Sequence, residues 1–227
     1  MKKLVVLSGS GISAESGIKT FREMGGLWEE YDVTEVASPI AWQANRAMVL
    51  RFYNERRKAL LDAHPNAAHT KLAQLEKLFD VSIITQNVDD LHERAGSSNI
   101  LHLHGEIRKA RCTLNEEDIY DIKGWELKEG DLSKQGHQLR PHIVWFGEAV
   151  PAIEEAVPLV NSADILLVIG TSLNVYPAAG LINYTKNGTS IYVIDPGEPV
   201  GIGTMDVTFI NKKATEGIEE FAKSIRP

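Results

Sequence analysis

Residues 4–23 read LVVLSGSGISAESGIKTFRE. The run Leu4-Val5-Val6-Leu7 is apolar and half β-branched, which suits a buried strand, and it empties into Gly9-x-Gly11-x-x-Ala14. In a strand–loop–helix setting such glycines let the backbone approach a pyrophosphate, and the following helix N-terminus favours its negative charge. A bare strand-to-helix turn can carry the same spelling, but the context favours nucleotide binding. A hydride-transferring enzyme would also want an acidic residue ending a second strand about 20 residues on. Glu29 and Glu30 lie near that distance, yet GGLWEEYD is not a strand end. That weakens the hydride reading.

Strand-like apolar runs recur at 4–7, 81–85, 100–103, 143–146, 165–169, 191–194 and 207–210. Several are continuous instead of alternating, as in strands buried on both faces of a parallel sheet. Helical segments lie between them. Ser38 and Pro39 read as N-cap and first helical residue of a segment reaching about residue 63, and Asn66 caps another to about 79. A short helix at 89–95 stops at Gly96, a further one spans 177–186, and 215–225 closes the chain. The expected fold is α/β, a Rossmann-like open parallel sheet with a smaller lobe formed by two insertions. Residues 1–27, 64–107 and 141–227 are expected to form the nucleotide-binding domain. Residues 28–63, all helix-like, and 108–140, polar and broken by Gly124, Gly130 and Gly136, are expected to form the lobe.

Composition narrows the function classes. The 227 residues carry a net charge of −7, which argues against a nucleic-acid partner, since such affinity rests on Lys and Arg neutralising phosphates. The single cysteine, Cys112, excludes an intrachain disulfide and any multi-thiolate metal site. The apolar run after Met1-Lys2-Lys3 is shorter than the roughly 7–15 residues of a signal-peptide core. No stretch approaches the ~20 apolar residues that span a bilayer. A cytoplasmic protein with no membrane association is expected.

Other stretches carry candidate chemistry. In TQNVDDLHERAG (85–96) a strand ends in Gln86-Asn87, with Asp89 in the next helical turn. Amides and a carboxylate so gathered can hold an amide-bearing ring and a sugar, or Asp89 can simply cap the helix. In LHLHGEI (101–107), His102 and His104 share a strand face; His104 precedes Gly105, where its ring could enter the cleft and act as a general base. In VIGTSLNVYPAAG (168–180), Gly170-Thr171-Ser172 follow a buried strand as a further nucleotide contact. RPHIVWFGE (140–148) ends in an extended segment that can pair with a peptide or serve as an ordinary core strand. In FYNERRKAL (52–60), Tyr53 and Arg56 are neighbours on one helix face, by default a solvated one.

Taken in order, Gly9-Ser10-Gly11-Ile12-Ser13 with Phe21-Arg22, Gln86-Asn87-x-Asp89, His104-Gly105, Phe146-Gly147-Glu148 and Gly170-Thr171-Ser172 resemble the sirtuins, NAD-dependent protein-lysine deacylases, over nearly the whole chain. Tyr53-x-x-Arg56 is similar to the pair with which desuccinylase-like members recognise the carboxylate of a succinyl or malonyl group. The resemblance implies NAD, consumed as a cosubstrate, held by Gly9, Ser10, Gly11, Ile12, Ser13, Thr20, Phe21, Arg22, Trp28, Gln86, Asn87, Asp89, Gly170, Thr171, Ser172, Asp195 and Ala214. It implies His104 and Asn87 as catalytic residues, and Tyr53, Arg56, Val144, Phe146, Gly147 and Glu148 as contacts to succinyl-, malonyl- or acetyl-lysine proteins. The products would be free lysine, nicotinamide and O-acyl-ADP-ribose, and the chain is expected to act as a monomer. Many sirtuins hold zinc through four cysteines; Cys112 alone cannot, so no zinc is expected and the lobe should pack around Ile119, Trp125 and Leu127. A catalytically silent NAD or ADP-ribose binding module and a weak ADP-ribosyltransferase remain alternatives.

Overall fold

The computed structural model describes residues 1–20, 33–198, 202–203 and 205–227. The described chain runs through β1 (Lys3–Ser8), α1 (Gly11–Ala14), α2 (Val33–Val36), α3 (Pro39–Ala44), α4 (Arg46–Asp62), α5 (Ala67–Leu75), β2 (Asp80–Thr85), α6 (Leu91–Arg94) and β3 (Ile100–His102). It continues with β4 (Gly105–Cys112), β5 (Ile119–Asp121), β6 (Leu139–Ile143), α7 (Ile153–Ser162), β7 (Ile165–Ile169), a 3-10 helix (Ala178–Tyr184), β8 (Ser190–Ile194), β9 (Val207–Ile210) and α8 (Ala214–Ser224).

Six parallel strands pair in the order β3-β2-β1-β7-β8-β9. Side chains alternate across this sheet, and both faces are covered. Leu4, Val6, Ile83 and Leu167 pack with Leu72 of α5 and Phe221 of α8. Val5, Leu7, Ile84 and Leu166 pack with Val160 of α7 and Leu181 of the 3-10 helix. Burial on two sides is why these strands read as unbroken apolar runs. β1 sits where the strand order reverses, with β2 on one side and β7 on the other, so the loops leaving β1 and β7 bound a crevice.

Two local rules place the helices. Ser38 Oγ accepts from Ala41 N at 3.0 Å, with Pro39 opening the helix. The expected single segment is nevertheless two helices, because Asn45 leaves the helical region (φ −151°) and caps α4 by accepting from Met48 N at 3.0 Å. Asn66 caps α5, and its Nδ2 also donates to Ile12 O at 2.8 Å, bracing the glycine loop.

The smaller lobe contains an antiparallel sheet, β5-β4-β6. Its core holds Ile107, Ala110, Cys112, Leu127, Leu139 and Trp145, packed with Val49, Leu50 and Phe52 of α4. Of the three side chains expected to organise the lobe, only Leu127 is buried, whereas Ile119 and Trp125 are exposed. Trp125 lies at the surface under the Lys58 ammonium, 5.4 Å from its ring centroid. The expected strand at 143–146 is displaced: β6 ends at Ile143, and the next residues are tied individually, Val144 N to His104 O and Phe146 N to Ala37 O. Among the described residues no helix is long and apolar enough to cross a membrane.

Candidate active site

The loops after β1 and β7 interlock. Gly9 N donates to Ile169 O at 3.0 Å and Gly11 N to Gly170 O at 2.8 Å. A Cβ on Gly9 would lie 2.6 Å from Thr171 Cβ, and one on Gly11 2.8 Å from Gly170 Cα. These glycines are therefore required by loop-to-loop packing, a reason the pyrophosphate argument did not contain. Because α1 is a single turn, its dipole contributes little to an anion at its N-terminus.

The end of β2 is bonded to this loop. Asn87 Nδ2 donates to Gly9 O and to Ser13 Oγ, both at 3.2 Å, and Ser13 Oγ donates to Asp89 Oδ2 at 3.0 Å. The other oxygen of Asp89 accepts from Leu91 N at 3.2 Å, so Asp89 caps the turn and joins the glycine loop at once. Burial pushes its carboxyl above the ordinary aspartate range. Gln86 Nε2 donates to Thr171 Oγ1 at 3.1 Å, closing the crevice floor between β2 and β7. Ser10 precedes α1 without capping it, Ser172 is half-buried, Asp195 Oδ1 accepts from Gly197 N at 2.8 Å, and Ala214 is buried at the start of α8. Thr20 is half-buried, while Phe21, Arg22 and Trp28 lie outside the described residues.

Geometry separates the two histidines. His104 Nδ1 lies 2.9 Å from Gln86 O, and since a carbonyl only accepts, Nδ1 carries the proton and Nε2 keeps the lone pair. Burial holds its pKa below the usual histidine value, so it is neutral and basic near pH 7. His102 uses Nδ1 in the same way on Asn87 O, but its Nε2 lies 2.7 Å from Glu93 Oε1. Burial alone would lower His102; the Glu93 carboxylate outweighs it and raises it. Beyond His104 the chain crosses into the small sheet at Gly105, where φ is +80° and a Cβ would strike His142 O.

Tyr53 and Arg56 do not form a solvated face. Tyr53 is 3% exposed and its hydroxyl accepts from Trp145 Nε1 at 3.0 Å. Burial raises its phenol to about 12. Burial also lowers the Arg56 guanidinium, and the Asp89 carboxylate acts in the opposite direction. The helix pair and the Asp89 end of the crevice are therefore electrostatic neighbours. Phe146 is exposed and Gly147 turns with φ +89°. The Glu148 side chain points to structure: its oxygens bond Arg140 at 2.6 and 3.1 Å, Arg111 at 3.2 Å and Trp145 N at 2.8 Å.

A Sir2 family profile matches residues 9–177. The chain belongs to the Sir2 family. It is 54% identical over 233 residues to the NAD-dependent protein deacylase of Bacteroides thetaiotaomicron, covering 100% of this chain and 99% of that protein. Among solved structures, a mutant Sir2 homologue bound to ADP-ribose superposes with TM-score 0.89 at 41% identity, over 98% of this chain and 91% of that one. A Sir2 homologue–NAD complex gives 0.88 at 41%, over 98% and 88%.

In this Sir2 chain several positioning residues escaped the sequence reading. Ser8 Oγ donates to Thr85 Oγ1 at 2.9 Å and lies 3.0 Å from His92 Nε2, while Asn87 N donates to the same Thr85 oxygen at 3.1 Å. Nothing in the spelling of a strand end marks a buried Ser–Thr–His cluster beneath it. Trp145 lies inside RPHIVWFGE, directly before Phe146-Gly147-Glu148, and the spelling does not mark it as a site residue. Among the described residues no group of three or more His, Cys, Asp or Glu is placed to hold a metal, and Cys112 is buried in the lobe's apolar core. The residues do not fit a four-thiolate zinc site.

Proposed function

We propose that this chain is an NAD-dependent protein-lysine deacylase favouring succinyl and malonyl over acetyl groups. The observation that carries the reading is the bonded set Gly9, Ser13, Asn87 and Asp89 in the crevice at the strand reversal, one residue from the carbonyl that fixes the His104 tautomer. The names of the relatives and the NAD and ADP-ribose complexes of the Sir2 neighbours support the same chemistry.

NAD supplies an electrophilic ribose carbon with nicotinamide as leaving group. Asn87 and Asp89, with Gln86, hold the nicotinamide end, and the Gly9–Ser13 loop with Gly170, Thr171 and Ser172 holds the pyrophosphate and its ribose. The Phe146–Glu148 backbone, with Val144, takes the substrate backbone and delivers the acyl-lysine oxygen to that carbon. His104 Nε2 then removes a ribose hydroxyl proton, freeing that oxygen to close on the acyl carbon, and water completes transfer to O-acyl-ADP-ribose. Positioning and charge stabilisation supply most of the acceleration. Tyr53 and Arg56 receive the distal carboxylate, the guanidinium as a bidentate donor and the phenol as a third. A hydrogen bond to a charged group nets about 1.5–3 kcal/mol, a ten- to hundredfold preference over an acyl end that cannot accept one.

The test is mass spectrometry of matched succinyl- and acetyl-lysine peptides incubated with enzyme, with and without NAD. Loss of the succinyl mass only with NAD, and faster than loss of acetyl, is expected. Acetyl removal outpacing succinyl removal would refute the acidic-acyl assignment.

A further inference from the structure

We propose that Trp145 is a positioning residue for acyl selectivity: its indole N–H occupies the acceptor side of the Tyr53 hydroxyl, leaving the phenolic proton to be donated to an acyl carboxylate. The inference rests on the assignment of Tyr53 and Arg56 to the acyl end.

The chemistry of the contact is one-directional. An indole nitrogen only donates, so at 3.0 Å from Trp145 Nε1 the Tyr53 oxygen is the acceptor. Among the described residues no group accepts the proton of that hydroxyl. Tyr53 and Trp145 are 3% and 2% exposed, so bulk water competes little for either group. With the phenol raised to about 12 by burial, Tyr53 keeps that proton across the physiological range.

The indole is itself held from two sides. The Arg140 guanidinium stacks on the ring 3.3 Å from its centroid, and Trp42 tilts against it at 5.8 Å. Arg140 is fixed by Glu148, whose Oε2 also accepts from Trp145 N. One carboxylate thus anchors both the backbone of Trp145 and the cation on its face. A ring so restrained presents its N–H to Tyr53 in one orientation. A carboxylate at the acyl end accepts a hydrogen bond from that O–H, whereas an acetyl methyl cannot. Trp145 therefore acts on acidic acyl groups and not on the common chemistry.

Trp145→Phe removes the N–H and keeps an aromatic ring. The succinyl-to-acetyl ratio of kcat/KM, measured at saturating NAD, is expected to fall about tenfold, mainly through KM for the succinyl peptide. Placed on a Tyr53→Phe background, the same substitution should leave the ratio unchanged, because no hydroxyl remains to orient. Equal losses on both peptides, or an undiminished effect in the Tyr53→Phe background, would overturn the assignment. A wild-type enzyme without succinyl preference would instead remove the underlying acyl reading, and the proposal with it. Should Trp145→Phe fail to fold, the indole resonances of the four tryptophans decide the matter in proteins that retain Trp145. One indole N–H is expected to shift on Tyr53→Phe and on succinyl-peptide binding; four unmoved resonances would contradict the contact.

Discussion

His102 and His104 stand two residues apart and bond the carbonyls of consecutive residues through the same nitrogen, yet the second nitrogen of His102 meets Glu93 Oε1 at 2.7 Å, and the proposed base is His104. The spacing placed both on one side but could not separate them, because the separating partner, Glu93, arrives from another element. His104→Tyr is expected to abolish multiple turnover; retained turnover would remove the assigned role. Because its pKa lies below 6.5 and the base must be unprotonated, kcat/KM should be flat above that pH and fall only at lower pH. An acid limb centred above 6.5 would contradict this. Arg56→Met should lower the succinyl-to-acetyl ratio ten- to hundredfold, as read from the two peptides under identical NAD. Gln86, Asn87, Asp89 and His104 could be singled out by residue type and position, whereas Tyr53 and Arg56 read as a solvated face and became candidates only through the family resemblance. The roles of Ser8, Thr85, His92 and Trp145 were not legible, since each acts through a neighbour that only the fold supplies.

The parallel strands were readable because burial on both faces leaves a continuous apolar run. The small sheet was not. β4, GEIRKARC, alternates charge with apolar residues, and it resembled a polar excursion until Ile107, Ala110 and Cys112 turned to the core and Arg111 found Glu148 and Glu116. α7 was also unread, because Pro158 interrupts its pattern from within. The 144–148 segment is not extended to its end, since Glu148 N bonds Trp145 O at 3.0 Å in a turn at Gly147. A side chain anchors it: Glu148 pairs with Arg140 and Arg111, cations only 9% and 7% exposed. Removing one partner of a buried ion pair strands the other, at about 3–5 kcal/mol. Glu148→Ala is expected to lower unfolding stability by about 3 kcal/mol in urea titration and to loosen both substrate and Trp145 contacts; a change below ~1 kcal/mol would show that the cluster is not stabilising.

Across the whole molecule, the crevice is joined to the helices behind the sheet by two buried histidines. His69 and His92 meet edge-on at 4.9 Å, His69 capping α5 with Asn66 and His92 touching Ser8 beneath the glycine loop. Burial lowers His69 to about 4 and His92 well below the ordinary value. The unfolded chain takes up these protons near pH 6.5 before the folded chain does, so stability is full above that pH and declines as pH falls toward 4. For His69 alone the loss amounts to roughly 3 kcal/mol across that interval. Tm should drop between pH 6.5 and 5, and His69→Asn should flatten that slope; a parallel slope in the variant would contradict the assignment.

We propose that this molecule cleaves NAD at the sugar–nicotinamide bond with an acyl-lysine oxygen as the attacking group. The most direct measurement counts nicotinamide, O-acyl-ADP-ribose and deacylated peptide from one reaction on a succinyl-lysine substrate. The three should accumulate in equal amounts. Deacylated peptide accumulating while NAD stays intact, or free succinate in place of the ribose ester, would contradict it.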